Sequence, residues 1–391
     1  MISVEAALAH VLALCPTLPA EVLPLRQALG RRLSDPVTAR LTQPPFDASA
    51  MDGYALSTAP RPGATFTVIG EATAGRAFAG VVSAGQAVRI FTGAPVPQGA
   101  SHVAIQEDVT REGDLVTIGA NPDSARHIRP RGQDFTLGQT VAPKQLGPAD
   151  LGLLAAMNLA SVAVHRRPVV AILSTGDELV PPGSLPGPDQ IIASSALALA
   201  ALAETAGAVT RILPIAADSL PHLRATLELT QGADLIVTTG GASVGDHDLI
   251  SHHAADLGLD LSFWKIALRP GKPMMAGRWQ GVPLLGLPGN PVSAYVCAVL
   301  FVLPMLRAMQ GDPQPAHAPQ MARLTADLPA NGPRRHYMRA NFDRATGQIT
   351  AQTLQDSALT LILAQSNALL IRPEHDAERP AGALVPFLAL P

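Results

Sequence analysis

The chain has 391 residues and a net charge of −3 at pH 7, and 47% of its residues are hydrophobic and 15% charged. This composition is typical of a soluble globular protein and excludes a general surface field for nucleic acid or anionic lipid. Any anion must therefore bind at a local cluster of charge, and the length predicts roughly two to four domains.

The N-terminal stretch MISVEAALAHVLALC contains Glu5 and no basic leader, which predicts an amphipathic helix and not a secretory signal. Cys15 and Cys297 lie in apolar helical patterns and offer neither a disulfide framework nor a zinc site. The longest apolar run, VSAYVCAVLFVLPML, is interrupted by Pro304 and falls short of the roughly 18 residues of a membrane span. We therefore expect a cytoplasmic protein that binds no membrane and no nucleic acid.

The first half of the chain changes its pattern twice. Residues 1–40 are typical of a helical segment, whereas short β-like runs separated by glycine and proline occupy the chain from about 60 to 140. Helical periodicity returns around 145–165, so the chain is expected to come back to the element that it left. We predict a discontinuous N-terminal domain, 1–40 with 138–166, and an inserted β domain at 41–137.

The second half alternates short apolar strands with helices, which predicts a doubly wound α/β domain at 167–310. We expect strands at 168–174, 208–215, 233–239, 261–267 and 282–287, and helices at 192–206, 219–230, 246–257 and 291–309. The proline-rich GDPQPAHAPQ is a linker, followed by a small β domain at 318–391. The predicted fold class is multi-domain, α/β plus β.

Ligands of such sheets bind beyond the carboxyl ends of the strands. STGDEL places Asp177 and Glu178 there, and TTGGASVGDHD places three glycines, Asp246 and Asp248 after a later strand. Glycines allow backbone N–H groups to approach an anion, and a helix N-terminus binds phosphate. The alternative for the first loop is an ordinary helix start whose acidic residues are favoured by the helix dipole.

A cationic loop, LRPGKP, follows later, and in it both Arg269 and Lys272 precede a proline that restricts their backbone. In LGLPGNPVSAYV, Asn290 and Pro291 suit a helix start, which needs no further function. Carboxylates with water suit Mg²⁺, and cations suit a tetrahedral dianion. The combination predicts chemistry at a phosphoanhydride.

Several ordered blocks carry a resemblance. PPFDASAMDGYAL, IFTGAPVP, RPRGQDF, STGDELVPPG, TTGGASVGDHD, FWKIALRPGKP and LPGNPVSA span residues 44–294. Their order resembles the molybdopterin molybdenumtransferase family, of the MoeA and gephyrin E-domain type.

The resemblance implies a transferase for the final step of molybdenum cofactor biosynthesis, which inserts molybdenum from molybdate into adenylated molybdopterin and releases AMP, with Mg²⁺ as cofactor. It also implies a homodimer of four-domain subunits with a small C-terminal β-barrel domain. The active cleft would lie between the α/β domain of one subunit and the inserted β domain of the other. The resemblance also suggests two kinds of partner protein: the adenylyltransferase of the same pathway and the molybdoenzymes that accept the cofactor.

Site residues follow from the same motifs. Asp52, Thr92 and Asp134 match functional positions on the β-domain side, although Asp52 also suits a turn and Thr92 a strand end. Glu178, Asp218 and Asp248 match the acidic set, with Glu178 and Asp248 as the Mg²⁺ ligands. The remaining positions match substrate-binding ones: Gly240, Gly241, Ser243, Lys265, Arg269, Lys272, Pro288, Gly289, Asn290, Pro291 and Arg339.

Four positions depart from the family pattern. Arg269 stands where lysine is usual and offers a planar fork of donors in place of a point charge. Leu361-Ile362 replaces paired serines, which leaves Thr360, Ser366 or Arg339 to supply polar contacts, and Ala48 replaces an asparagine. Two alternatives stay open: a molybdopterin adenylyltransferase-like enzyme, and a non-catalytic molybdopterin carrier or scaffold.

Overall fold

The computed structural model describes residues 1–240 and 253–391, except for the side chain of Trp264. The chain divides into two compact units, Met1–Glu21 with His165–Pro391 and Val22–Val164. The helix expected at 246–257 lies largely outside the described residues, and 253–258 form hydrogen-bonded turns.

The first helix, α1 (Val4–Ala13), begins at Ser3, whose hydroxyl accepts a hydrogen bond from the Ala6 backbone N–H at 3.1 Å. Its buried face packs into the core of the α/β sheet. The sequence had grouped residues 1–40 with 138–166, whereas residues 1–21 belong to the first unit. An apolar stripe shows which face of a helix is buried but not which core covers it, and the four predicted domain limits stay a prediction.

The chain from Ala20 to His165 is mainly β. Its elements are β1 (Ala20–Pro24), β2 (Val37–Thr38), β3 (Ala48–Ser49), β4 (Gly53–Leu56), β5 (Thr65–Ala72), β6 (Gln86–Ile90), β7 (His102–Ile105), β8 (Val109–Glu112), β9 (Leu115–Ile118), β10 (Ile128–Arg129), β11 (Thr140–Val141), α2 (Pro148–Ala156) and β12 (Ser161–His165). Six strands form one sheet in the order β7-β4-β6-β5-β9-β8, and three two-stranded sheets join β1 to β12, β2 to β11 and β3 to β10.

The second unit has separate cores. Two apolar clusters, around Leu56 and around Ile90, lie on the six-stranded sheet. Another cluster joins Leu33 to Leu146 and Leu154, so the chain segments that precede and follow the six-stranded sheet in the sequence share one core.

The α/β part follows in the first unit. Its elements are β13 (Val169–Ser174), β14 (Leu179–Val180), β15 (Ile191–Ile192), α3 (Ser195–Thr205), β16 (Val209–Ile212), α4 (Leu220–Glu228), β17 (Leu235–Thr239), β18 (Leu259–Trp264), β19 (Leu268–Arg269), β20 (Met275–Trp279), β21 (Val282–Leu287), α5 (Pro291–Cys297) and α6 (Leu303–Met309). The sheet order is β16-β13-β17-β21-β20-β18. The pairs among β16, β13, β17 and β21 are parallel and those of β20 and β18 antiparallel, which confirms the predicted α/β class.

Strand β20 was not among the expected strands, and the strand expected at 261–267 instead runs from Leu259 to Trp264. Pro270 and Pro273 cannot donate a backbone hydrogen bond, so the connecting segment reads as an interrupted run. The sequence of β20, MAGRW, is too short and too little alternating in polarity to predict a strand by itself. The two strands instead pair with each other and extend the sheet on the β21 side.

One long apolar helix fills the core beside this sheet. It runs through α5, a π-helical turn at Ala298–Val302 and α6, and Pro304, expected to break the apolar run, lies inside it. The π turn widens the helix just before the proline ring, which relieves its clash with the preceding turn. The helix, Pro291–Met309, is long and apolar enough to cross a membrane, but 83% of its apolar window is buried in the protein, so it is weak evidence for a span.

The C-terminal part is a closed barrel, as predicted. Its elements are β22 (Gln320–Leu324), β23 (Arg335–Asp343), β24 (Gln348–Ala351), α7 (Thr360–Ala364), β25 (Ala368–Arg372) and β26 (Leu384–Ala389). The order β23-β24-β22-β26-β25 closes through the pairing of β25 with β23. The short strand β19 pairs with β23 in parallel, so the cationic loop reaches the barrel wall.

Candidate active site

Acidic side chains lie where two neighbouring parallel strands end. Asp177 and Glu178 follow β13, and Asp218 lies in the loop that follows β16. Asp177 Oδ1 accepts a hydrogen bond from the Asp218 backbone N–H at 2.9 Å, and all three side chains are exposed. The structure therefore brings Asp218 and the STGDEL loop together, as the motifs implied.

The carboxylate of Glu178 lies over the backbone of Gly176. Gly176 has φ +144°, and a Cβ placed on it would lie 2.3 Å from Glu178 Oε2. A side chain at this position would displace the exposed end of Glu178, so the glycine leaves room for the carboxylate where it lies.

The next two parallel strands end in glycines. Gly240 follows β17 and Gly289 follows β21, and a Cβ on Gly289 would lie 3.7 Å from Gly240 Cα. Pro288 precedes Gly289, and Asn290 and Pro291 begin α5 at the N-cap and first helical positions, without a hydrogen bond from the Asn290 side chain. Gly241, Ser243, Asp246 and Asp248 lie outside the described residues. Within 1–240 and 253–391, no group of three or more His, Cys, Asp or Glu side chains is arranged to hold a metal ion.

The cationic loop leaves the same edge of the sheet. Trp264 of β18 pairs with Met275 of β20, which pairs with Gly286 near the carboxyl end of β21. At about 4.8 Å per strand, β20 is about 14 Å and β18 about 19 Å from β13. The cations and the carboxylates therefore both lie at the carboxyl ends of the parallel strands, with the ends of β17 and β21 between them.

Lys265 and Lys272 lie at the two ends of this loop. Lys265 has φ +77°, its N–H donates to Met274 O at 3.0 Å, and Ile266 N–H donates to Lys272 O at 3.1 Å. The Lys272 side chain is exposed. At the tip, Gly271 has φ +112°, and a Cβ on it would lie 2.5 Å from Cys297 Sγ of α5, so the loop lies directly on that helix.

Arg269 lies against the barrel. It pairs with His336 across β19 and β23 and lines a cavity of about 510 Å³ whose lining includes neither lysine. The basic set expected from the motifs is therefore spread along the loop and does not converge on one point.

Arg339 of β23 is buried, with 1% of its surface exposed. Its Nη1 donates to Leu359 O at 3.4 Å, just before α7. Leu361 in that helix is 68% exposed, and the Ser366 hydroxyl donates to Ile362 O at 2.7 Å. Of the suggested substitutes for the missing serines, Arg339 and Thr360 are close to one another at this helix, while Ser366 already has a partner.

In the second unit, Asp52 and Thr92 are in direct contact. Asp52 Oδ1 accepts hydrogen bonds from Thr92 N–H at 2.7 Å and from Thr92 Oγ1 at 2.8 Å. These two bonds, with a smaller effect from the Arg89 guanidinium, lower the pKa of Asp52 below its usual range. The Arg89 guanidinium also lies over the rings of Tyr54 and Phe91, at 5.1 and 4.6 Å from their centroids.

Asp134 lines a cavity of about 480 Å³ in the same unit. Gly93, the neighbour of Thr92, and Arg129 also line it, as does Ala48. The structure therefore gathers Asp52, Thr92 and Asp134 around one region of the β domain.

Two residues at these sites were missed from the sequence. Arg89 stands in an ordinary strand and His336 in RRHYMR, and neither carries a local signal. Their roles depend on partners far along the chain.

Three family models match successive parts of the chain. The MoeA N-terminal region (domain I and II) matches residues 2–158, the probable molybdopterin binding domain residues 171–308, and the MoeA C-terminal region (domain IV) residues 321–390. Molybdopterin molybdenumtransferase 2 of Mycobacterium tuberculosis is 38% identical over 376 residues, covering 92% of each chain. The chain belongs to the molybdopterin molybdenumtransferase family.

Other comparisons agree with this family. Molybdopterin molybdenumtransferase of Nostoc sp. is 34% identical and covers 95% of this chain and 89% of its own. Two crystal structures of the molybdopterin biosynthesis MoeA protein from Pyrococcus horikoshii have TM-scores of 0.83 and 0.81, at 28% and 27% identity. They cover all of this chain and 99% and 100% of their own.

Proposed function

We propose that this protein is a molybdopterin molybdenumtransferase, a transferase that inserts molybdenum from molybdate into adenylated molybdopterin and releases AMP. One observation carries the proposal: carboxylates and cations occupy the same carboxyl edge of the α/β sheet, at positions that match the family motifs. Relatives with this name are similar to the chain over nearly its whole length.

The spacing along this edge suits a long substrate. The cations lie about 14 to 19 Å from the strand that carries Glu178, a distance that a nucleotide joined to a pterin through a phosphoanhydride can bridge. An apolar cavity of about 570 Å³ beside Asp177 offers space for one ring of such a molecule. Gly289, between the two ends, is exposed and leaves the backbone open to its phosphates, whereas the space beside Gly240 is filled by Thr175.

The acidic side chains would act at the phosphoanhydride. Glu178 is exposed and its carboxylate lies over Gly176, so it can orient a water molecule toward phosphorus. The donor set also fits Mg²⁺, which usually takes only one or two protein carboxylates and completes its shell with water and phosphate. Glu178 and Asp248 would hold this ion, which supplies charge neutralisation at the phosphate oxygens.

The cations would hold the dianionic substrate groups. Lys272 is exposed at the sheet edge, and Lys265 lies at the other end of the same loop. Positive charge placed in advance lowers the cost of bringing molybdate beside a phosphoanhydride. Arg269 lies against the barrel, apart from the two lysines, and offers a planar fork of donors there.

We further propose a cytoplasmic homodimer in which the Asp52, Thr92 and Asp134 group of one subunit completes the cleft of the other. The support is that Thr92 and Arg89 lower the pKa of Asp52, and that Gly93, next to Thr92, and Asp134 line one cavity. The domain limits expected from the sequence belong to the same proposal. Transfer of the product to molybdoenzyme acceptors, and contact with the pathway's adenylyltransferase, would follow.

The test is molybdate-dependent AMP release from adenylated molybdopterin by the purified protein. We expect AMP and metallated cofactor in equal amounts, with no release when molybdate or Mg²⁺ is omitted. Formation of adenylated pterin from ATP would instead identify an adenylyltransferase-like enzyme. Tight pterin binding without AMP release would identify a carrier, which the exposed Leu361 in place of a serine would explain.

A further inference from the structure

Arg89 joins three chain segments at one end of the six-stranded sheet in the second unit. It lies on β6, directly opposite Tyr54 of β4. Its Nη1 donates a hydrogen bond to Gly53 O at 3.1 Å, and its Nη2 donates to Gln106 Oε1 at 2.8 Å. Gly53 follows Asp52 in the chain, and Gln106 follows β7. One guanidinium therefore holds β6 to the beginning of β4 and to the end of β7.

Two aromatic rings flank the same guanidinium. Arg89 Cζ lies 5.1 Å from the centroid of the Tyr54 ring and 4.6 Å from that of the Phe91 ring. Tyr54 is 5% exposed and belongs to an apolar core of the sheet. Phe91 directly precedes Thr92, whose backbone N–H and hydroxyl both donate to Asp52 Oδ1. The guanidinium therefore contacts the residue after Asp52 and the residue before Thr92.

Gln106 completes a closed set of hydrogen bonds around Asp52. Its backbone N–H donates to Asp52 O at 3.0 Å, while its side chain accepts the bond from Arg89. A Cβ on Gly53 would lie 1.9 Å from Ala104 O of β7, so β4 begins in close contact with that strand. Arg89 adds β6 to this contact.

The orientation of Arg89 is not that of a simple ion pair. Glu71 of β5 lies opposite Arg89 on the other side of β6, and it is exposed. The two hydrogen bonds to Gly53 and Gln106 nonetheless go to neutral acceptors, a backbone carbonyl and a side-chain amide. A guanidinium donates in fixed, planar directions, so it sets the distance between the groups that it joins.

We propose that Arg89 is a positioning residue, which holds Asp52 and Thr92 in the geometry that gives both hydrogen bonds to one carboxylate oxygen. Asp52 precedes β4 and Thr92 follows β6, so their distance depends on how the ends of these two strands are joined. Without the guanidinium, the turn that carries Thr92 can move away from Gly53, and hydrogen bonds weaken steeply as their angle departs from linearity. That the pair serves AMP release rests on the proposed function.

The test follows the backbone N–H of Thr92 in the full chain. Arg89→Met removes the charge and both donors but keeps an unbranched side chain. Hydrogen exchange of the Thr92 amide, measured by NMR on threonine-labelled protein, should become about tenfold faster or more, as expected when a hydrogen bond to a charged group is lost. Unchanged exchange in this variant would overturn the proposal.

Arg89→Lys separates the charge from the planar fork. A single ammonium group retains the charge but cannot reach Gly53 O and Gln106 Oε1 together, so most of the increase in exchange should persist. Exchange at the wild-type rate would show that the charge alone is sufficient, which also contradicts positioning by the fork.

Arg111→Met is the matched control. Arg111 lies on β8 of the same sheet and contacts its neighbours in sequence, Asp114 at 3.8 Å and Gly113 O at 2.8 Å. Its loss should leave exchange at Thr92 unchanged. Equally fast exchange in this control would indicate general loosening of the sheet and would remove the support for Arg89.

A second variant covers the case in which Arg89→Met does not fold. Gln106→Leu removes one acceptor of the guanidinium at an exposed position and keeps the backbone bond to Asp52 O. It should also speed exchange at Thr92, by a smaller factor, because the bond to Gly53 O remains. No change at Thr92 would count against the role of Arg89.

AMP release is a separate readout. Arg89→Met should lower kcat about tenfold and leave the KM for adenylated molybdopterin within about twofold, because a displaced group costs more in the transition state than in substrate binding. A raised KM with unchanged kcat would make Arg89 a substrate-binding residue and overturn the proposal. If the wild type releases no AMP, the proposed function fails, whereas exchange at Thr92 still decides the role of Arg89.

Discussion

Asp52 and Thr92 are joined by two hydrogen bonds although 40 positions separate them in the chain. They lie at the same end of the antiparallel pair β4 and β6, where Gly53 is opposite Ile90. The backbone N–H and the hydroxyl of Thr92 converge on one oxygen, which fixes the carboxylate as an anion. The resulting group is a rigid acceptor and not a proton donor at neutral pH.

Thr92→Val should shift the acid limb of the pH dependence of AMP release to higher pH. The variant keeps the backbone bond to Asp52 and loses the hydroxyl bond, so the pKa of Asp52 rises toward its usual range. If Asp52 must be ionised for activity, it is then protonated at a higher pH than in the wild type, and activity falls at that higher pH. Thr92→Ser retains both bonds and is the control, and superimposable profiles for all three proteins would contradict this role of Asp52.

Glu178→Gln should abolish AMP release while leaving the melting temperature unchanged. The substitution removes the charge at nearly constant shape, and the side chain is exposed, so the folded state loses little. Glu228→Gln on α4 makes the same chemical change at another exposed position and should retain full activity. Wild-type turnover in Glu178→Gln would exclude a role for Glu178 in binding metal or orienting water.

Lys272→Ala should raise the molybdate concentration needed for half-maximal AMP release more than it weakens binding of adenylated molybdopterin. Its ammonium group is exposed at the sheet edge, where an oxyanion would lose one charge-assisted contact. Lys144→Ala is the matched control, since Lys144 forms only a surface pair with Asp150 at 2.7 Å. If pterin binding suffers more than the molybdate requirement, Lys272 contacts the pterin phosphate.

Asp376→Asn should destabilise the protein at neutral pH by about 3–5 kcal/mol, the usual cost of breaking a buried ion pair. The Arg372 and Asp376 side chains are 2% and 6% exposed, so Arg372 would keep a buried charge with a weaker partner. Urea unfolding measures the difference. Asp189→Asn, which changes an exposed carboxyl, should cost almost nothing.

The same variant tests the pH dependence of stability. Arg379 and Arg372 hold the pKa of Asp376 below its usual range, with Arg379 the larger influence. A carboxyl with a lowered folded pKa contributes stability above its unfolded pKa and loses it as the pH falls through the folded value. Wild type should therefore lose stability on acidification below the usual carboxyl range, and Asp376→Asn should lack that part of the loss.

Local patterns predicted most of the α/β fold. The strands at 169–174 and 282–287 and the helix at 291–309 lie within a residue of their expected limits, because strong apolar runs are bounded by glycine or proline there. Strand β20 was missed because its identity depends on pairing with β18 and β21. Likewise, α1 shows its apolar stripe in the sequence, but the core that covers it is chosen by the tertiary fold.

The site residues named from the motifs stay a prediction, and the structure shows how some of them are arranged. The motifs led to Glu178, Asp218 and Lys272, and the acidic residues do meet at one edge. Arg269 faces the barrel instead, because β19 pairs with a strand that follows more than 60 residues later. Such long-range pairing leaves no trace in LRPGKP itself, which is why the partnership with His336 was not foreseen.

The contact between Gly271 and Cys297 supplies a natural reporter. The thiol is fully buried beneath the loop tip, and burial raises its pKa, so a thiol reagent can reach it only when the loop lifts from α5. The rate of alkylation at Cys297, separated from that at the more accessible Cys15 by peptide mass spectrometry, then reports how often the loop opens. A bound oxyanion that holds the loop against α5 would lower the rate of alkylation at Cys297.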